Sequence, residues 1–363
     1  MAPGSMAGGM TEIYQEGLRI PPIRIAKNHE ILDDVLDLVL LNVRVPEERK
    51  GDYMAQIAAN KLGTRRLQEL FAKWTREQVS EGCTGIIEAV TRRMRAGIAD
   101  LPDGRYEFTD VLDDDGMGTT NIPICVKIDI QSDEIWLNFE GSAPQVTGNM
   151  NNSFAGLQAS VLFALKVLID PDGPTNHGML GPVHIDAPEA SVVNASFPAA
   201  TAARAQTCQR IIDVILGALA PAVPERVIAA CNGANGVATF SGEGPDGQYY
   251  LYMETIGGGA GGRSYQDGSD GIQVHVTNTS NLPVEALESE YPLLVERYEL
   301  VENSGGAGKW RGGMGLRRVY RGLGHTLTFS GQGERAVTPP WGLFGGKGGG
   351  TGSISLINPD GSK

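Results

Sequence analysis

One stretch holds most of the side chains suited to chemistry: Glu254, the glycines from Gly257 to Gly262, Arg263, His275 and Asn278. An imidazole moves protons near neutral pH, and a carboxamide beside it can orient an amide substrate. His275 and Asn278 are therefore read as a catalytic pair. Glu254 is a third catalytic candidate, although it could instead anchor the glycine loop by accepting backbone N–H groups. Glycine lets backbone approach a ligand or another strand of backbone closely, so Gly258 and Gly259 are read as substrate-binding. Arg263 could hold a carboxylate or phosphoryl oxygen through two parallel hydrogen bonds, or lie in a surface salt bridge. Asn151 belongs to an amide-rich corner with Asn149 and Asn152 and is a further substrate-binding candidate. Ser153, which follows it, fits the N-cap of a helix whose first amides could receive an anion.

Other motifs are excluded by their surroundings. Gly257-x-Gly259-x-x-Gly262 has dinucleotide-loop spacing, but Arg263-Ser264-Tyr265-Gln266-Asp267-Gly268 cannot open the apolar helix that such a loop requires. Neither Lys309 nor Lys347 is followed by Ser or Thr, so no phosphate loop exists. There is no G-x-S-x-G elbow, no H-E-x-x-H pair and no paired-cysteine motif. Asp113-Asp114-Asp115-Gly116 lacks full calcium-loop spacing and reads as a solvated turn. His177 and His184 flank Gly-Pro turns and read as structural.

The elements that must position these groups follow from periodicity. Apolar residues at Leu32, Leu36, Val39, Leu40 and Val43 recur at helical spacing, and Pro46 with Glu47 and Glu48 suits the start of the next helix. Met54, Ile57, Leu67, Leu70 and Phe71 continue an apolar stripe, and Ile86, Ile87, Val90, Met94 and Ile98 mark a third helix. The arginines at 65, 66, 92, 93 and 95 read as solvated faces. Ile122–Ile130 and Glu134–Phe139 form a predicted hairpin, and helices are expected over Ser153–Ile169 and Thr207–Leu219. Strands alternate with glycine turns thereafter, at Tyr249–Glu254, Gly271–Val276, Leu293–Leu300, Leu316–Tyr320 and Thr326–Phe329. The fold class is α+β: a helical N-terminal region (1–100), a mixed α/β region (101–235) and a Gly-rich, strand-rich remainder (236–363).

Thirty Lys and Arg stand against 43 Asp and Glu, a net charge of −13, which excludes nucleic acid or anionic membrane as a partner through long-range field. Cys83, Cys125, Cys208 and Cys231 are scattered, as reduced thiols of a cytoplasmic protein would be. The longest apolar run, Ala159 to Ile169, is too short to span a bilayer.

Several blocks, in order along nearly the whole chain, resemble the hydantoinase B/oxoprolinase family. They are Gly4-Ser5-Met6, Glu12 to Pro22, Asn42 to Arg49, Gly141 to Val146, Gln209 to Val214, the Gly-cluster stretch from Glu254 to Glu285, Tyr291 to Tyr298, Ser304 to Gly308 and Pro339 to Gly342. The resemblance implies the B-type part of an ATP-dependent hydrolase that opens hydantoin, 5-oxoproline or a related lactam. It implies a hetero-oligomer in which an A-type hydantoinase partner uses ATP to phosphorylate the carbonyl, with the B-type chain inactive alone. It also implies a divalent metal, zinc or manganese, for which Glu16 and secondarily Glu12 are the candidate ligands. Relatives carry a leading His/Asp segment before Gly4, and the chain here is expected to lack it. Ala203-Arg204-Ala205-Gln206-Thr207 departs from relatives with Asn and Glu there, which leaves the substrate subgroup open. Two alternatives stand beside this reading: a large subunit of acetone- or acetophenone-carboxylase type, and a non-catalytic assembly component.

Overall fold

The computed structural model describes residues 8–28, 30–233 and 236–358. The Gly4-Ser5-Met6 block lies outside the described residues.

A short hairpin, β1 (Ala26–Lys27) and β2 (Glu30–Ile31), leads into α1 (Asp33–Leu41), α2 (Pro46–Phe71) and α3 (Arg76–Ala99). Pro46 is the first residue of α2, where its missing N–H costs nothing, and Glu47 and Glu48 follow in the positive first turn. Thr75 caps α3 by accepting from the Gln78 amide, and the Gln78 side chain returns the bond to Thr75. The stripe predicted on α2 is not used as expected. Ile57 is buried, whereas Leu67, Leu70 and Phe71 are exposed. Periodicity reports that a helix is amphipathic; it does not report that a partner for its apolar face lies in the same chain.

The mixed sheet consists of β3 (Gly104–Asp114), β4 (Thr120–Gln131), β5 (Glu134–Asn138) and β6 (Val183–Asp186) in that order, antiparallel except for the parallel β5–β6 pair. The predicted hairpin is the β4–β5 pair, and inward residues Ile122, Ile124, Val126, Ile128 and Ile130 alternate along β4 as a half-buried strand requires. Between β5 and β6 runs α4 (Phe154–Ile169), with Ser153 at its N-cap accepting from Gly156 N. After β6 comes α5 (Arg204–Leu219), which packs on β3, β4 and α4 and is buried over nearly its whole length. Val90, Met94 and Ile98 of α3 join this core beside Leu157, Val161, Ile211 and Ile215.

A second core lies in the C-terminal half. β7 (Gly236–Glu243) is flanked by β8 (Tyr249–Ile256) and β11 (Leu327–Gln332), all antiparallel. After helix α6 (Val284–Glu290) a separate ribbon pairs β9 (Leu293–Leu300) with β10 (Leu316–Gly322). Phe240, Tyr252, Leu287 and Leu293 fill the space between. The expected strand Gly271–Val276 is absent: Ile272 makes an isolated two-bond bridge with Gly258, and His275 sits in a turn with φ of +50°. The helical-then-strand-rich α+β architecture is as expected, and no helix among the described residues is long and apolar enough to cross a membrane.

Candidate functional site

The glycine run does structural work that its composition permits and few other residues could do. Residues 257–262 thread between three backbone segments. Asn232 N donates to Gly259 O at 2.9 Å, Ala229 N to Gly262 O at 3.1 Å, Ala260 N to Ser269 O at 3.0 Å and Gly313 N to Ala260 O at 2.8 Å. A Cβ at Gly261 would lie 1.9 Å from Ala229 O, and one at Gly259 2.0 Å from Gly313 O. Gly257, Gly259, Gly261 and Gly262 thus lie against other backbone, Gly258 lies against the Asn232 side chain, and the N–H of Gly258 is engaged by Ile272 O. The close approach expected at Gly258 and Gly259 is made here to neighbouring protein, the Asn232 side chain and Gly313 O respectively. Gly261→Ala is expected to destabilise the protein by about 1–3 kcal/mol through overpacking. Gly82→Ala, in α3 with nothing within 4 Å, is expected to stabilise by about 1 kcal/mol through helix propensity. Urea unfolding of both variants checks the contrast.

Beneath this lacework lies a buried charged cluster. Arg210 and Asp213, one turn apart on α5, meet Asp110 of β3 and the pair Glu334-Arg335 that follows β11. Arg335 Nη2 donates to Asp110 Oδ2 and to Asp213 Oδ2, both at 2.8 Å. Arg210 reaches Asp110 Oδ1 and Glu334 Oε2 at 3.1 Å each, and also the Val111 carbonyl. Trp341 Nε1 donates to Asp110 Oδ2 at 2.9 Å. On the far side of Asp213, His275 Nε2 lies 3.0 Å from Oδ1, and the His275 ring is hydrogen-bonded to Cys231. Gly261 N in turn donates to the Cys231 sulfur at 3.4 Å. Three carboxylates therefore face two guanidinium groups and one imidazole, with the charged side chains of the cluster buried from solvent.

That composition sets the protonation states. Burial raises the Asp213 carboxyl, but the hydrogen bond from His275 and the charges of Arg335, His275 and Arg210 reverse this and hold it below the usual carboxylate range. Burial lowers His275, yet coupling to Cys231 and the bond to Asp213 outweigh it and raise the imidazole to about 10. Glu334 goes the other way: burial pushes it up to about 7 despite Arg210. A cationic imidazole between a thiol and a carboxylate can hold or pass a proton. His275 takes a positive φ in this turn, and its ring faces Asp213 of α5.

The other anticipated residues are dispersed. Asn278 is exposed and does not accompany His275 into the interior. Glu254 is buried and is an anchor, though not for the glycine loop. Its Oε2 accepts from Tyr252 at 2.7 Å, Asn281 at 2.8 Å and Arg318 at 3.0 Å, tying β8, the 281 loop and β10 together. Asn151 is buried with its carboxamide fully engaged by backbone: Oδ1 accepts from Val146 N, and Nδ2 reaches the carbonyls of Val146, Gly148 and Ala200. It shapes the corner, with both amide hydrogens spent on backbone carbonyls and the side chain buried from solvent. Arg263 is half-buried, with its backbone bridged to Ile228 and no side-chain ion pair among the described residues. Asp113 and Asp115 correct the solvated-turn reading. Both are buried, and both accept backbone amides, Asp113 from residues 336–338 and Asp115 from Met117, Thr119 and Gly148.

Glu16 accepts from the amides of Thr201 at 2.5 Å and Ala202 at 2.6 Å through one oxygen, and from the Thr201 hydroxyl at 3.4 Å through the other. Glu12 forms a backbone bridge with Ala199. Both therefore pin the N-terminal segment to the approach of α5, whose first residue lies about 14 Å of helix before Asp213. Among the described residues no group of three His, Cys, Asp or Glu side chains is placed to hold a metal ion. Glu16 and Glu12 do not make a metal centre by themselves, and the donors present do not fit one.

The cluster, the α5 block that carries Arg210 and Asp213, and the glycine lacework all fall within the span of one family model, hydantoinase B/oxoprolinase, which matches residues 1–362. The chain belongs to the hydantoinase B/oxoprolinase family. It is 34% identical to the B subunit of a putative D-/L-hydantoinase from a Pseudomonas strain, over 95% of this chain and 60% of that protein. The ATP-dependent caprolactamase structure from Pseudomonas jessenii superposes with a TM-score of 0.82 at 31% identity, over 89% of this chain and 57% of that one. The nucleotide-free structure of acetone carboxylase shares the fold with a TM-score of 0.89, at 19% identity over 96% of this chain and 49% of that one. This member of the hydantoinase B/oxoprolinase family thus spans about three fifths of the length of the hydantoinase relative that it matches.

Proposed function

We propose that the chain forms part of the ring-opening, B-type portion of an ATP-dependent cyclic-amide hydrolase. The observation that carries this reading is the family match across residues 1–362, supported by the likeness to a hydantoinase B-type protein and to caprolactamase. An unactivated lactam carbonyl is protected by amide resonance. Phosphorylation of its oxygen by an A-type partner makes the carbon electrophilic, and water then opens the ring with loss of phosphate. The sequence supplies no nucleotide loop of its own, which agrees with placing ATP chemistry on the partner. In this reading His275, fixed by Asp213 and Cys231, is a positioning residue for the proton that the opened nitrogen receives. The zinc or manganese that the family resemblance implies finds no ligand set among the described residues, and no step is derived through it.

The test is reconstitution with a cognate A-type partner. Phosphate release is expected to require ATP, a lactam or hydantoin, and both proteins together. ATP turnover by this chain alone would overturn the division of labour. The acetone-carboxylase fold likeness favours a second reading, and a bicarbonate-dependent carboxylated product would select it over a ring-opened one.

A further inference from the structure

The helices before the mixed sheet carry a feature that ring opening does not use. In α2 only Ile57 is buried, and residues 58–78 are exposed without exception, as are 80–88. α2 alone would reach about 39 Å along its axis. Leu67, Leu70, Phe71 and Trp74 face solvent near the turn between α2 and α3, with Trp74 at 54% exposure. Apolar groups of this size gain free energy when covered, and an uncovered helix draws little of its stability from propensity alone.

Charge identifies the cover. The tip, residues 61–76, carries Lys61, Arg65, Arg66, Lys73 and Arg76 against Glu69 alone, in a chain of net charge −13. The base of the arm is its complement. Asp33, Asp34 and Asp37 of α1 and Glu47, Glu48 and Asp52 of α2 outnumber Arg44, Arg49 and Lys50. The base also exposes apolar groups, Leu38 at 60% and Leu41 at 85%. A basic, apolar tip and an acidic, apolar base on one arm are self-complementary about a two-fold axis, because each copy then offers its tip to the other's base.

We propose that this arm pairs antiparallel with the arm of a second copy of the chain, tip on base, with Leu67, Leu70, Phe71 and Trp74 of one copy covering Leu38 and Leu41 of the other. The charged rim sets register and orientation, and the apolar residues supply the closure.

Sedimentation of the full chain at low and high salt tests this, with circular dichroism confirming that each variant is folded. The expected result is a dimer whose dissociation constant rises with salt. Arg65→Glu with Arg66→Glu should weaken it at least about tenfold, and so should Asp33→Lys with Asp34→Lys. Combining all four substitutions should restore the dimer, since both surfaces are then reversed together. A residue acting only on its own helix would not show that rescue. A monomeric wild-type chain, a dimer indifferent to either reversal, a four-fold variant that stays monomeric, or an arm that is covered only when an A-type partner is added would each overturn the proposal.

Discussion

Arg335→Met is expected to lower the unfolding free energy by about 3–5 kcal/mol, the cost of leaving buried charge without its partner. Arg335 is 2% exposed, and its Nη2 bonds both Asp110 and Asp213 at 2.8 Å. Methionine fills similar volume, so the effect is electrostatic before it is steric. With the guanidinium gone, Asp110 retains Arg210 and Trp341, and Asp213 retains His275. Three carboxylates then face one guanidinium and one imidazole in a place water does not reach. Arg93→Met is the control. Arg93 pairs with Asp170 by a bidentate contact, but its side chain is 53% exposed, and its loss should cost far less because solvent screens the pair. Urea titration of both variants reads the difference. A loss for Arg335→Met no greater than that for Arg93→Met would mean the cluster does not brace the fold.

The position of that brace explains what the sequence could and could not reveal. The helices and strands are local matters. The alternation of Ile122, Ile124, Val126, Ile128 and Ile130 and the Pro46 and Ser153 starts are written in neighbouring residues, and the elements formed where expected. The charged cluster is not local. Asp110, Arg210 and Arg335 come from β3, α5 and the segment after β11, and only the tertiary fold brings them together. One sign was present. Arg210 and Asp213, one turn apart, interrupt Ile211, Ile212, Val214, Ile215 and Leu216, the stretch of α5 that is apolar all round. A helix of that kind is buried, so its two charges must be paired inside the protein. Asp113 and Asp115 misled for the same reason in reverse. An Asp-rich, glycine-ended string suits a solvated turn, and nothing local shows that the backbone at 336–338 and at Gly148 folds over it. The glycine lacework was legible as close approach, but not as approach to backbone in preference to substrate. His275 was legible as a group of interest and Asn278 was not its companion, because the turn that replaces the expected strand sends one side chain inward and the other to solvent.

His275 gives the second large effect, and it depends on pH. Its imidazole is raised from the usual range near 6.5 to about 10 in the folded state, with burial opposing the shift and Cys231 and Asp213 producing it. A group whose folded pKa lies above its unfolded value stabilises the protein fully below the unfolded pKa. That contribution declines as pH rises and is gone once pH passes the folded value. The urea midpoint should therefore fall between about pH 6.5 and 10 by more than in a His275→Gln variant, which cannot titrate there. Asp213 acts at the other end: its lowered pKa gives stability that is lost only as pH falls through its folded value. Cys231→Ala separates the two causes acting on the imidazole. Without the sulfur the bond to Asp213 remains, so the folded pKa of the imidazole should drop, and the decline should become smaller and end at lower pH, with the lost stability appearing at acidic pH and none of it by this route above the folded value. In the reconstituted complex, His275→Gln should lower kcat at least about a hundredfold if the imidazole positions a transferred proton, and ATP affinity should be unchanged. Parallel pH profiles for wild type and His275→Gln would show that the imidazole does not carry the buried charge assigned to it.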